Sequence, residues 1–405
     1  MGARFEGSFT QQEGVPEAGI ERAIEIMRSG RLHRYNVAGN ETAETVYLEQ
    51  EFAAYMGVDY CLACASGGYA LQIALRTFDL SPGEQVLTNA FTLSPVPGAI
   101  AAVGALPLLV ETTEELVIDL HDLALKCAAS KARLLLLSHM RGHIVDMDAL
   151  LAITNAADII VIEDCAHTMG ARWDQTKSGS HGTVACFSTQ TYKHINSGEG
   201  GLITTTDAEL MARMTLLSGS YMLYERHHNV PSPEVFAGVR LHTPNCSGRM
   251  DNLRAAVLRP QLQTLDARIE QWNARYRVVA EQLAGQDGLR LPLRPPKEHF
   301  VGSSIQFLVD DLDSEQIRSF IARCQELGVE LKWFGASEPV AYTSRHDSWQ
   351  YIEEQSLPST DRTLERLCDM RIPLTFTVED CALIGAIITA CLDEEKAAAK
   401  IGGTG

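Results

Sequence analysis

The stretch ARLLLLSHMRGHIVDMDALLAITNAADIIVIEDC, Ala132–Cys165, holds the fold in miniature. Two nearly unbroken apolar runs, 132–140 and 158–165, flank MDALLAITNAA, where apolar residues recur at helical spacing. A strand with one wet face alternates apolar and polar residues, whereas a strand that is apolar throughout must be covered on both faces. Strand, helix and strand in that order read as one crossover unit of a parallel sheet. The same pattern extends outward through VDYCLACA (58–65), EQVLTNAF (84–91), ALPLLVE (105–111), TVACFST (183–189) and GGLITTT (200–206). The expected fold is therefore α/β, a mostly parallel seven-stranded sheet covered by helices.

Beyond the sheet the pattern changes. Arg249–Ala284 is helical in period with an interruption at Pro260, LRLPLRPPKEH (289–299) breaks the composition, and a smaller α+β pattern follows. The expected organisation has an N-terminal segment, 1–40, packing on a large domain at 41–265. A connecting helix and linker span 266–300, a small C-terminal α+β domain spans 301–395, and a flexible tail spans 396–405.

Fifty-two acidic against 34 basic residues give a formal charge of −18, which speaks against a nucleic-acid partner. No apolar run approaches the roughly 20 residues that cross a bilayer, and the first 20 residues lack a secretory pattern. Ten scattered cysteines read as reduced thiols, so a cytoplasmic protein without membrane contact is expected. Cys61 and Cys64 form C-x-x-C within a strand-like run that sends them to opposite faces, and no metal site is expected.

Three features can carry chemistry. Lys193 stands in TQTYKHINSGEGG (189–201), just past a strand and before a glycine-rich turn. A partly desolvated lysine there can form a Schiff base with a carbonyl compound, or it is an ordinary loop lysine. ASGGYALQIAL (65–75) runs from strand to helix through two glycines, either an anion site at a helix N-terminus or a plain turn. VIEDCAH places Asp164 at the carboxyl end of a buried strand, where open α/β sheets bind ligands, or where an acid caps the next turn. Phosphate site, carboxylate and lysine on one sheet edge are what pyridoxal 5'-phosphate requires for its phosphate, its ring nitrogen and its aldehyde.

Read together, FAAYMGVDYCLACASGGYAL, SPGEQVLTNAFTL, SHMRGHIVDMDAL, VIEDCAHTMGA, FSTQTYKHINSGEGG, SGRMDNLRAAVL and RIPLTFTVED resemble the DegT/DnrJ/EryC1/StrS family of sugar aminotransferases, fold-type I. The resemblance runs from about Glu49 to Leu392. It implies pyridoxal 5'-phosphate as cofactor and Lys193 as the lysine that carries it. By the same resemblance Asp164 partners the pyridine nitrogen, His167 lies near the ring hydroxyl, and Gly67, Gly68 and Ser188 hold the phosphate. A homodimer with shared active sites is implied, with Ser247 in the segment that crosses to the neighbour.

Four positions depart from the family pattern. Gly68 stands where a hydroxyl residue is usual, and Ser247 where Asn is usual. Either Phe91 or Leu93 covers the ring. Arg141 replaces an aromatic, where its guanidinium either grips a substrate carboxylate or makes an ordinary salt bridge. The implied reaction moves an amino group from glutamate or glutamine to a ketone, such as a keto-sugar or ketocyclitol, in biosynthesis. The rival reading is a lyase, cyclase or decarboxylase acting on an amino acid with the same cofactor.

Overall fold

A computed structural model describes residues 4–402, with side chains to residue 398. Seven strands form one sheet: β1 (Tyr60–Cys64), β2 (Gln85–Asn89), β3 (Leu106–Val110), β4 (Leu134–Ser138), β5 (Ile160–Asp164), β6 (Val184–Ser188) and β7 (Gly201–Thr205). Their order is β1-β7-β6-β5-β4-β2-β3. Every pair from β6 across to β3 is parallel, and β7 alone runs against both its neighbours.

The apolar strands follow from two cores, one on each face. Leu135 and Leu137 of β4 enter a core shared with the helices Glu44–Met56 and Met147–Ala156. Leu134 and Leu136 point the other way, against the helices Gly67–Arg76 and Ala208–Ser218. Alternate side chains of one strand thus bury in different cores, so no position tolerates a polar residue until the strand ends. The chemistry gathers at those ends, and Ser138 of β4 sits in register with Asp164 of β5.

The return from β6 to the antiparallel β7 forms the tight loop at 189–200. Its turn uses Gly198 at φ +82°, a conformation that costs glycine little. At Gly201 a Cβ would meet the carbonyl oxygen of Ser66 at 2.4 Å, so only glycine lets β7 pass that close to the start of the helix Gly67–Arg76. Gln261 pins the loop from outside: it accepts from the Asn196 N–H at 3.0 Å and donates to the Asn196 carbonyl at 2.8 Å.

A second core forms around the antiparallel pair Ser304–Val309 and Leu367–Arg371, packed by the helices Ser314–Glu326 and Val378–Gly402. The helix Leu265–Leu283 serves both bodies. Leu265, Ile269 and Trp272 pack in a core of the large sheet, while Tyr276, Val279 and Leu283 pack in the second core. The helix break falls at Thr264 rather than at Pro260, which lies inside Asn252–Gln263.

Two expectations need correction. The first residues do not all pack on the large domain: the rings of Phe5 and Phe9 meet Phe376 edge to face at 4.8 and 4.9 Å, deep in the second core. The helix Glu17–Ser29 does pack on the large body, against Asn252–Gln263. The stretch read as a flexible tail continues the last helix to Gly402, and 403–405 lie outside the described residues. No helix among the described residues is long and apolar enough to cross a membrane. All ten cysteines are free thiols, with Cys61 and Cys64 buried in different cores.

Candidate active site

The ends of β4, β5 and β6 and the start of the helix Gly67–Arg76 open into a cavity of about 530 Å³. Gly67, Gly68, Leu93, Arg141, Asp164, His167, Ser188 and Lys193 all line it. Residues 126 positions apart in the chain converge there because parallel strands deliver their carboxyl ends to one edge.

At the helix terminus, Ser66 caps by accepting the Tyr69 N–H at 3.1 Å. The N–H groups of Gly67 and Gly68 have no acceptor within the helix, and together with the helix dipole they favour an anion. Ser188 packs against this turn so closely that a Cβ on Gly67 would lie 2.7 Å from the Ser188 Cβ. The absent side chain thus leaves backbone donors and a hydroxyl side by side.

Asp164 is 8% exposed and held on both oxygens: Ser138 Oγ donates to Oδ2 at 3.0 Å and the Ala166 N–H to Oδ1 at 3.1 Å. Ser138 is itself set by Thr92, whose hydroxyl donates to its Oγ at 2.8 Å. Its backbone N–H donates to Asn89 Oδ1 at 2.9 Å. Burial raises the Asp164 pKa, while the neighbouring Lys193 and the two hydrogen bonds oppose the rise. Its neighbour on β5, Glu163, points away and takes N–H groups from Gly179, His181 and Gly182 besides His139 Nε2 at 2.9 Å. Those donors occupy both oxygens, so Glu163 anchors the 179–182 turn.

Lys193 Nζ lies 3.1 Å from His167 Nε2. Burial pushes the ammonium down to about 7; Asp164 opposes this, and Arg141 and Arg371 add to it. Burial likewise drives the His167 pKa well below its usual value, with Lys193 adding to the effect, and its Nε2 stands within hydrogen-bond distance of Nζ. A half-buried amine with its pKa lowered to about 7 beside an imidazole is an unusual arrangement for a surface loop and an ordinary one for a nucleophile.

Three expected site residues sit elsewhere or act otherwise. Phe91 is buried and packs edge to face on Phe334 at 5.0 Å, outside the cavity; Leu93 is the one that lines it. The segment after β2 bends, so residues two apart do not share a face. Arg141 lines the cavity, but its guanidinium is committed to Asp369: Nε donates to Oδ1 at 2.7 Å and Nη2 to Oδ2. It makes the salt bridge rather than an open grip. Ser247 is exposed and lies outside the cavity of its own chain, in a left-handed conformation with φ +55°.

Sequence reading passed over Ser138, Gln190, Tyr192, Tyr342 and Arg371, which also line the cavity. Ser138 was within reach, because parallel register sets the end of one strand beside the end of the next. Tyr342 and Arg371 belong to the second core's body, and no local pattern announces that they return to the first sheet.

The chain matches the DegT/DnrJ/EryC1/StrS aminotransferase family over residues 17–389. It belongs to that family. Among curated members, dTDP-3-amino-3,4,6-trideoxy-alpha-D-glucose transaminase of Streptomyces venezuelae is 34% identical over 61% of this chain and 62% of its own length. L-glutamine:2-deoxy-scyllo-inosose aminotransferase of Streptoalloteichus tenebrarius is 33% identical over 68% of this chain and 65% of its own length. The aligned part thus spans a little under two thirds of those family members. Among solved structures, 3-amino-5-hydroxybenzoic acid synthase shares the fold with a TM-score of 0.81 at 23% identity, covering 97% of this chain and all of that one.

Proposed function

We propose that this chain is a pyridoxal 5'-phosphate-dependent aminotransferase that moves an amino group from glutamate or glutamine to a ketone such as a keto-sugar or ketocyclitol. The observation that carries the reading is the convergence of a half-buried Lys193 with a depressed pKa, a buried Asp164 and a free helix terminus on one cavity. The names of the relatives, a transaminase of a dTDP-linked amino sugar and an L-glutamine:2-deoxy-scyllo-inosose aminotransferase, support the choice of donor and acceptor.

The donor set fits the cofactor. Backbone N–H groups at Gly67 and Gly68 with the Ser188 hydroxyl suit its phosphate, and the missing Cβ at Gly67 keeps that space clear. Asp164 suits the ring nitrogen, and Leu93 offers an apolar surface for the ring. Bound there, the cofactor supplies an electron-accepting ring that stabilises a donor α-carbon after it loses its proton. Asp164 would face the ring nitrogen, where a carboxylate favours the protonated ring. Lys193 Nζ would hold the cofactor, and its amine is placed to move a proton at the donor α-carbon. His167, hydrogen-bonded to Nζ at 3.1 Å, fixes where that amine stands. Ser247, exposed in the SGRM segment, serves the phosphate site of a neighbouring copy in a homodimer.

The lyase, cyclase or decarboxylase reading leaned on Arg141 as an open carboxylate grip, and Asp369 removes that support. Donor stoichiometry separates the two reactions. Purified protein given the donor should release one equivalent of 2-oxo acid per active site and then stall until a ketone acceptor is added. Repeated product release from one amino acid with no acceptor would place the chain among the lyases.

The depressed Lys193 pKa sets a pH profile. The neutral amine is the nucleophile, so capture of the cofactor aldehyde by cofactor-free protein should accelerate as pH rises through about 7. An unperturbed lysine would still be gaining near its usual value of about 10.4. Stopped-flow absorbance from pH 5.5 to 10 reads this directly, and a midpoint above 9 would refute the burial argument.

A further inference from the structure

Asp164 stands at the end of a line of buried polar groups that begins two strands away. Asn89 ends β2, Thr92 follows it, and Ser138 ends β4 in register with Asp164 at the end of β5. None of the four is more than 8% exposed. Thr92 Oγ1 donates to Ser138 Oγ at 2.8 Å, and Ser138 Oγ donates to Asp164 Oδ2 at 3.0 Å. The Ser138 backbone is fixed by its N–H to Asn89 Oδ1 at 2.9 Å. A carboxylate only accepts, so the Ser138 proton is committed to Asp164 and the Ser138 oxygen is left to accept from Thr92. The line therefore has one direction, toward the carboxylate, and each bond polarises the next.

The preceding residue shows what the donors around a buried acid decide. Glu163 takes three backbone N–H groups and His139 Nε2. Burial pushes its carboxyl up, yet His139, His181 and the Gly182 N–H hold it down to about 2. At Asp164 burial wins and the pKa is raised. The opposing groups are Lys193 from the 189–200 loop, the Ala166 N–H from the turn after β5, and Ser138 and His139 from the end of β4. A hydrogen bond to the charged form favours that form. Of these groups Ser138 is the one side chain that donates to Asp164 without a charge of its own, and it lines the cavity beside it.

We infer that Ser138 is a positioning residue of the reaction: with Thr92 behind it, its hydroxyl favours the charged form of Asp164 and so sets how firmly a ring nitrogen facing that carboxylate keeps its proton. This rests on the aminotransferase reading above. Thr92 touches Asp164 only through Ser138, so its contribution passes through that hydroxyl.

Ser138→Ala, Ser138→Thr, Thr92→Val and the double variant Ser138→Ala/Thr92→Val test it. In the cofactor-loaded enzyme, kcat should fall about 10- to 100-fold in Ser138→Ala, the range of a hydrogen bond to a charged group, with a much smaller change in the donor's KM. Ser138→Thr keeps the hydroxyl and should recover most of the loss. Thr92→Val should cost about 2- to 10-fold in the wild-type background and nothing further in Ser138→Ala, because the two hydroxyls act in series. With cofactor labelled with ¹⁵N in its ring, the nitrogen resonance should move toward the unprotonated position in Ser138→Ala, less so in Thr92→Val, and stay in place in Ser138→Thr. Urea unfolding of the cofactor-free protein gives a readout free of the reaction. The bond is strongest to a charged Asp164, so the stability gap between wild type and Ser138→Ala should widen as pH rises through the raised Asp164 pKa, followed from about pH 4 to 8. A gap that does not change with pH, an unmoved nitrogen resonance in Ser138→Ala, or additive losses in the double variant would overturn the inference. If the wild type takes up no cofactor, the aminotransferase reading fails, and the pH dependence of the gap still decides whether Ser138 serves the charge on Asp164.

Discussion

Asp164→Asn should leave the fold standing and cost turnover about 10²–10⁴-fold, the range of a lost proton-handling or charge-stabilising group. Asparagine can keep an oxygen toward the Ser138 hydroxyl and the Ala166 N–H, the two bonds that hold Asp164. It cannot supply the negative charge that keeps a ring nitrogen protonated. Burial raises the Asp164 pKa, and Lys193 and the two hydrogen-bond donors oppose that rise. The loss should therefore appear in kcat far more than in the thermal midpoint, and a bound cofactor should change its absorbance rather than disappear. A variant with near wild-type turnover would remove Asp164 from the chemistry.

Asp369→Ala should lower stability by about 3–5 kcal/mol, the cost of stranding one partner of a buried ion pair. Asp369 is fully buried, and besides Arg141 it accepts from Gln306 Nε2 at 2.7 Å and from the Tyr342 hydroxyl. These contacts tie the second core's central strands to the loop after β4, where Arg141 adopts a left-handed φ of +55°. Removing the carboxylate leaves a guanidinium 6% exposed with its counter-charge gone. Denaturant unfolding followed by tryptophan fluorescence checks the magnitude, and a change below about 1 kcal/mol would mean that Arg141 is solvated by other means. Asp369→Asn should fall between, since it keeps an acceptor and loses the charge.

The sheet was legible because its physics leaves few choices. Leu134 to Leu137 feed two cores in alternation, so β4 had to be apolar at every step. The same constraint made the first polar residues at the strand ends conspicuous, which is how Asp164 stood out. Lys193 was legible only in company, since its loop resembles any other until Ser188, Gly201 and Asp164 are placed beside it. Contacts between distant segments were not legible. Arg141 and Asp369 are 228 positions apart, and neither carries a local sign of the other. Phe5 and Phe9 reach Phe376 from the opposite end of the chain, with no periodicity to say which core they join. The choice between Phe91 and Leu93 turned on a bend after β2, where neither helix nor strand period applies.

The account stands on one covalent assignment. Borohydride reduction of the cofactor-loaded protein, followed by peptide mass mapping, should find a single pyridoxyl group on Lys193 and none on the chain's other lysines. Lys193→Ala should carry no such group and should lack the visible absorbance of the wild type. An adduct mapped to a different lysine, or a Lys193→Ala protein that keeps the band, would contradict it.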